Sequence, residues 1–390
     1  MKKIGLALYL LCLTYTSFGK QYLVKSEQEF KAVISKLLPG DEVLIADGTY
    51  SKWSVEISNH GTLEKPILIK AQNAKKVFFS GEVDQHIFLI SGSNITLSGI
   101  SFMECALIKA NGKTGVLVEF KNSNSGRLTD CMFAKNQAKF QFAPLVVVSG
   151  NGKGNQIDFC SFILNVDNQD VQVKITNESC PQNTLISKNI FSNKSKVSWK
   201  NGNGGECIQI GQDPVLLGKI EANTIVSENQ FINCNGESEI ISNKSSKNQY
   251  LKNLFETCDG ELVMRGGHDC IIAENTFNEG TGGIRINGTG HQVIDNKVSN
   301  IKTAIRLMYG MAKGKEEIGF YIAASNCTIK GNHIDHATTG ILIGDSKNTD
   351  WTGKFDTKRY PSPVMQNIAP FDNKIENNSF SDTIMKVVNQ

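Results

Sequence analysis

Apolar residues in this chain come in short bursts separated by turn-forming residues. Cys270-Ile-Ile-Ala273, Gly283-Ile-Arg-Ile286 and Gly340-Ile-Leu-Ile343 have the length and composition of strands. Between such runs a triplet recurs: asparagine, any residue, then an apolar residue. It appears as Asn189-x-Phe191, Asn229-x-Phe231, Asn253-x-Phe255, Asn275-x-Phe277, Asn296-x-Val298, Asn332-x-Ile334 and Asn378-x-Phe380. Three successive steps are 24, 22 and 21 residues. Strand and turn repeating at just over 20 residues is the period of a parallel β-helix. Asparagine suits the bends because it tolerates left-handed backbone angles, and stacked copies can bond from coil to coil. The pattern predicts an all-β fold, a single right-handed parallel β-helix. Coils are expected to lengthen and become loop-rich between about 120 and 200. A long loop is expected from Asp345 to Ala369, before a last coil around Asn373–Phe380.

A solenoid needs its open end covered. Ser26-Glu-Gln-Glu29 is a capping box, and Phe30, Val33, Ile34 and Leu37 follow at helical spacing up to Pro39-Gly40. An N-terminal capping helix is therefore predicted. Residues 1–19 read as a signal peptide, with Lys2-Lys3, an apolar core from Ile4 to Leu13, and small residues near Gly19. Residues 20–390 then form one β-helix domain, exported to the periplasm or secreted. Lipid anchoring at Cys12 is the weaker alternative, since Leu11 before it is a poor match. The apolar core is too short to span a membrane, so no transmembrane segment is expected.

Composition narrows this further. The 390 residues contain 35 glycines and only 8 prolines, which fits tight turns better than disorder. The leader carries two lysines and no acid, so the net charge of +3 falls to about +1 without it. No nucleic-acid partner is expected, and an anionic ligand would need a local basic patch. A monomer is expected. Of the 10 cysteines, one lies in the leader, leaving an odd number for an exported chain. No Cys-x-x-Cys pair occurs, which argues against zinc. Cys234 and Cys258 read as stacked buried residues, not a disulfide.

Candidate chemistry concentrates in Asn235-Gly-Glu-Ser-Glu-Ile-Ile-Ser-Asn-Lys244 and Leu262-Val-Met-Arg265. Glu237 and Glu239 are two apart, so a strand turns both to one face. Two acids so close call for a cation, and hard oxygen ligands suit calcium. Asn203, in Asn203-Gly-Gly-Glu206, lies about one long coil upstream, where its amide oxygen could join them. Lys244 and Arg265 are about one coil apart, so they should be neighbours. An adjacent positive charge disfavours the charged lysine and makes it usable as a base. Arg285, His291, Arg306 and Tyr309 follow on later coils as a basic and aromatic strip for a polyanionic chain. Glu261 repeats Glu237 one coil on, as an extension of the cation site or a stacked surface acid.

These segments, with Ile45-Ala-Asp-Gly-Thr-Tyr50 and Gly282-Gly-Ile-Arg285, resemble polysaccharide lyase family 6, which includes alginate lyases and chondroitinase B. The similarity spans essentially the whole mature chain. The resemblance implies Lys244 as base, Arg265 as its catalytic partner, and Asn203, Glu237 and Glu239 as calcium ligands. The family often has histidine directly after the arginine; here Gly266 stands there, and His268 two residues on is the candidate substitute for substrate contact. The implied reaction is β-elimination from a uronate polymer, with alginate as the leading substrate and dermatan sulfate the alternative. Arginine is a poor proton donor, so Arg265 is expected to stabilise charge. A hydrolase would want paired aspartates, and no Asp-Asp pair occurs. A noncatalytic polysaccharide-binding helix is the remaining class.

Overall fold

The computed structural model describes residues 19–214 and 218–390. The leader expectations, Cys12 included, lie outside them. Each coil of the solenoid contributes three strand segments, as in Gln249–Leu251, Leu254–Cys258 and Glu261–Met264. Each pairs in parallel with its counterpart a coil later: Ile271–Ala273, and the early and late halves of Thr276–Ile286. This is a parallel β-helix.

Two internal ladders hold the coils in register. In the first, each asparagine side-chain amide donates to the Oδ1 of the next, from Asn189 through Asn229, Asn253, Asn275, Asn296 and Asn332 to Asn378, at 2.9–3.0 Å. Every Oδ1 also accepts a backbone N–H, as Asn253 does from Asn229. The buried amides are thus satisfied twice over. The second ladder is a phenylalanine stack from Phe102 through Phe133, Phe162, Phe191, Phe231, Phe255 and Phe277, with centroids 4.4–4.9 Å apart. That spacing is the strand spacing itself, so identical rings stack with little offset.

The region from 120 to 200 holds longer coils, but they stay in strict register. Phe133 pairs with Phe162 and Phe162 with Phe191. The extra residues are absorbed in turns. The N-terminal helix α1 (Glu27–Ile34) is shorter than expected and ends well before Pro39. Ser26 caps it, and the Glu29 carboxylate accepts from Lys25 N–H at 2.7 Å. Phe30 plugs the first coil against Trp53 and Phe88. The nine described cysteines are unbridged, and Cys234 and Cys258 are stacked, the Cys234 N–H 3.4 Å from the Cys258 sulfur. No helix among the described residues is long and apolar enough to cross a membrane.

The expected loop from 345 to 369 is not a loose strand connection. Thr349–Asp350 pairs antiparallel with Met365–Gln366, and Gly310 bridges Ile368. With residues 310–325 it forms a folded excursion against the side of the helix, carrying Phe320, Tyr321, Trp351 and Phe355 in one aromatic cluster.

Candidate active site

One face of the solenoid carries a continuous outward row. Register places Glu56, Leu89, Glu119, Val147, Gln172, Gln209, Ser242, Val263, Arg285, Arg306 and Leu342 side by side. Neighbouring strands lie about 4.8 Å apart. The N-terminal part of this row floors a groove of about 1140 Å³, lined by Lys31, Lys113, Lys121 and Lys174 among others, with Phe142 at its rim. Glu119 lies on that floor between His86 and Ser149. Burial works against its charge, but those two hydrogen bonds prevail and hold its carboxyl below the usual range.

Where the row passes Ser242, three acids converge. Carboxylate oxygens of Glu206, Glu237 and Glu239 lie within 4.8 Å of one another, and all three side chains are buried. Backbone geometry makes this possible. Gly205 and Gly236 face each other on successive coils so closely that a Cβ on either would overlap the other's backbone. Gly204 takes a left-handed φ of +92°. That turn aims the N–H groups of Gly204 and Gly205 at Glu237 Oε2, the latter at 2.9 Å. Glu206 accepts from Gln209 at 2.7 Å and Gln169 at 2.8 Å. Arg285 donates to Glu239 Oε1 at 2.5 Å, while the buried Glu239 Oε2 has no hydrogen-bond partner.

The electrostatics of the trio are split. Burial, reinforced by Glu206 and Glu239, pushes the Glu237 carboxyl up to about 9. Burial also opposes the charge on Glu239, but Arg285, Arg265 and Lys244 hold its carboxyl down at about 2. Crowded carboxylates with an unpartnered oxygen are the donor set that a hard divalent cation satisfies, so these residues fit calcium.

Lys244 and Arg265 are brought together as expected. Asn243 pairs with Met264, and Arg265 N–H donates to Asn243 O at 3.0 Å. Burial and then the Arg265 charge drive the Lys244 ammonium below its ordinary range. The Arg265 guanidinium lies over the Phe320 and Tyr321 rings, 4.8 and 5.0 Å from their centroids. Burial opposes its charge, yet Tyr321 and Glu239 outweigh that and keep it firmly cationic.

The remaining candidates divide. Arg285 stays at the site, bound to Glu239. Arg306 is on the outer row but clasped by Glu261 through Nε (2.9 Å) and Nη2, and by Asp345 through Nη1 (2.8 Å). Glu261 therefore serves as an arginine partner and not as an extension of the acid trio. His291 is corrected: it is 0% exposed, accepts from Cys270 N–H at Nδ1 and donates to Asn287 O from Nε2. Burial pushes its pKa down to about 4, so it is a neutral core histidine with no atom for substrate. His268 is buried against Asp269, with Glu221 at 3.8 Å. Tyr309 is buried, its carbonyl accepting from Asn287 and Gln366. Asn203 is exposed, and its carbonyl accepts from Gln141 at 2.9 Å. The acid that joins Glu237 and Glu239 is Glu206. Its signal lay in the same Asn203–Glu206 segment, but choosing between the two needs the register, in which Ile208 pairs with Ile241.

A family profile described as Chondroitinase B matches residues 24–387. The chain belongs to polysaccharide lyase family 6. Among solved structures, a mannuronic acid specific family 6 lyase from human gut microbiota is 25% identical, with a TM-score of 0.77, over 95% of this chain and 82% of that one. A family 6 lyase from Pseudopedobacter saltans is 21% identical with a TM-score of 0.75, over 94% and 92% of the two chains. The alginate lyase AlyGC is 23% identical with a TM-score of 0.73; the match covers 95% of this chain but 53% of AlyGC, so this chain spans about half its length. No curated protein sequence matches the chain.

Proposed function

We propose that this family 6 polysaccharide lyase cleaves alginate, the mannuronate and guluronate polymer, by β-elimination. The observation that carries the reading is the Lys244–Arg265 pair: a buried lysine driven toward its neutral form beside a cation held over two aromatic rings. A uronate C5 proton is weakly acidic because its carboxylate is already negative. Charge developing there needs positive partners aimed at it beforehand. Arg265 and Arg285 are those partners, and the rings under Arg265 fix its direction. Lys244 Nζ takes the C5 proton, the C4–O4 bond breaks, and the product carries a C4=C5 double bond. A calcium ion held by Glu206, Glu237 and Glu239 would add charge stabilisation at the uronate carboxylate. Asn203 stands as a weaker fourth ligand on the adjoining loop.

Alginate is favoured by the gut relative whose structure names mannuronic acid specificity. The second reading, dermatan sulfate, rests on the Chondroitinase B description of the family profile. Export rests on the leader sequence. Ultraviolet absorbance of the conjugated product separates the readings: a rise on poly-mannuronate or poly-guluronate supports alginate, and a rise only on dermatan sulfate replaces it. Reducing ends without absorbance would mean hydrolysis.

A further inference from the structure

Two inward rows of aliphatic side chains are interrupted on the same coil, directly behind Lys244. On the strands that lead to the site, the row pairs Ile210 with Asn243, Asn243 with Met264, and Met264 with Ile286. On the opposite wall, Val226 pairs with Tyr250 and Tyr250 with Ile272. Asn243 and Tyr250 are both 0% exposed. The Tyr250 hydroxyl crosses the core and donates to Asn243 Oδ1 at 2.8 Å, and Asn248 Nδ2 donates to the same oxygen at 2.8 Å. Burial pushes the phenol well above its ordinary range, so it stays a donor. Asn243 Nδ2 in turn donates to Ser245 O at 2.8 Å, so this side chain closes a ring around Lys244. Asn248 also donates to Ser245 Oγ at 2.7 Å and accepts the Thr224 N–H of the preceding coil at 2.8 Å. The main chain is tied on both sides as well: Lys244 N–H donates to Ile210 O at 2.7 Å, and Asn243 O accepts Arg265 N–H at 3.0 Å. Folding does not require such a network, because apolar groups of the same shape can replace a buried hydrogen-bonded pair at little cost. What the network adds is a fixed direction for the turn that carries Lys244.

We propose that Asn243 and Tyr250 are positioning residues for the base: their hydrogen bond through the core fixes the turn from Asn243 to Ser245, and that turn aims Lys244 at the uronate C5 proton. The inference rests on the lyase reading above. Neither side chain touches substrate, since both lie inside the solenoid. A base works only within hydrogen-bond reach of its proton, and a misplacement of about 1 Å can cost about 10²-fold in rate.

The test compares wild type with Tyr250→Phe, which removes one oxygen, and with the double variant Asn243→Met/Tyr250→Phe, whose methionine matches Met264 on the next coil. Urea unfolding is measured for each, with kcat and KM on uronate polymer and on the same polymer deuterated at C5. The double variant should unfold near the wild-type midpoint yet lose about 10²-fold in kcat, with KM close to wild type. Tyr250→Phe alone should lose about 10-fold, and it decides by the same split if the double variant does not fold. Deuteration should slow each variant at least as much as wild type, because the step that has lost its aim is proton removal. A folded variant with undiminished kcat would reduce the network to core packing and overturn the proposal, with the lyase reading left standing. So would a loss confined to KM, or a lower kcat with a smaller isotope effect than wild type. Silence of the wild type on every uronate would remove that reading and the proposal together.

Discussion

Replacing Glu237 by glutamine should stabilise the protein when no divalent cation is present. The fold holds this carboxyl at about 9 against an ordinary 4.5, chiefly through burial and the neighbouring Glu206 and Glu239 charges. Between those values the folded state binds a proton that the unfolded chain has released, so stability falls as pH rises from about 4.5 towards 9. At about 1.4 kcal/mol per unit, the cost near pH 7 is on the order of 3 kcal/mol. Glutamine keeps an oxygen for the Gly204 and Gly205 N–H groups but cannot ionise. Denaturant unfolding in chelator should therefore place Glu237→Gln on the order of 3 kcal/mol above wild type near pH 7, with the gap closing towards pH 4.5. Added calcium should reverse the order, because ligand binding stabilises the wild type and far less the variant. A variant no more stable than wild type at neutral pH would refute the reasoning. So would an advantage of the same size at both pH values.

Three further outcomes follow from the same geometry. The kcat/KM of the wild type should climb with pH as Lys244 loses its proton, at a pH below the ordinary lysine range; in Arg265→Gln the residual rate should climb later, since a positive neighbour is gone, and an unmoved limb would detach the pair. Asn253→Ala removes two donated and two accepted hydrogen bonds inside a sealed ladder and should cost about 3–6 kcal/mol in urea unfolding, whereas Asn378→Ala, half-buried at the last rung, should cost about 1–2 kcal/mol; equal losses would contradict the ladder. Phe142 is 52% exposed at the rim of the groove; Phe142→Ala should raise KM for long chains by about 5–10-fold while leaving trisaccharide turnover unchanged, the size of one lost stacking contact.

Much of this was legible in the chain because a β-helix writes its period into the sequence. The asparagine triplets named the ladder residue by residue, and the Lys244–Arg265 spacing matched one coil, so both survive in the structure. What failed to read was set by unequal coil length. The step from Asn189 to Asn229 is 40 residues, nearly twice the shortest one, and register across it cannot be counted from composition. That is why Glu206, which converges with Glu237 and Glu239, could not be picked out from the Asn203–Glu206 segment by counting. His291 looked like a groove residue by position, yet its ring turns inward to satisfy the Cys270 N–H. Phe320 and Tyr321 went unread because they reach Arg265 from an excursion outside the repeat, which no periodicity links to the site.

The central claim is that Lys244 starts an elimination on a uronate polymer. Its most direct test is the ultraviolet absorbance of wild type and Lys244→Met, both shown to be folded, on poly-mannuronate and poly-guluronate. The account predicts an absorbance rise for wild type on at least one alginate block and a rate lower by about 10²–10⁴-fold or more for the variant. An undiminished rate in Lys244→Met, or reducing ends appearing without absorbance, would contradict it.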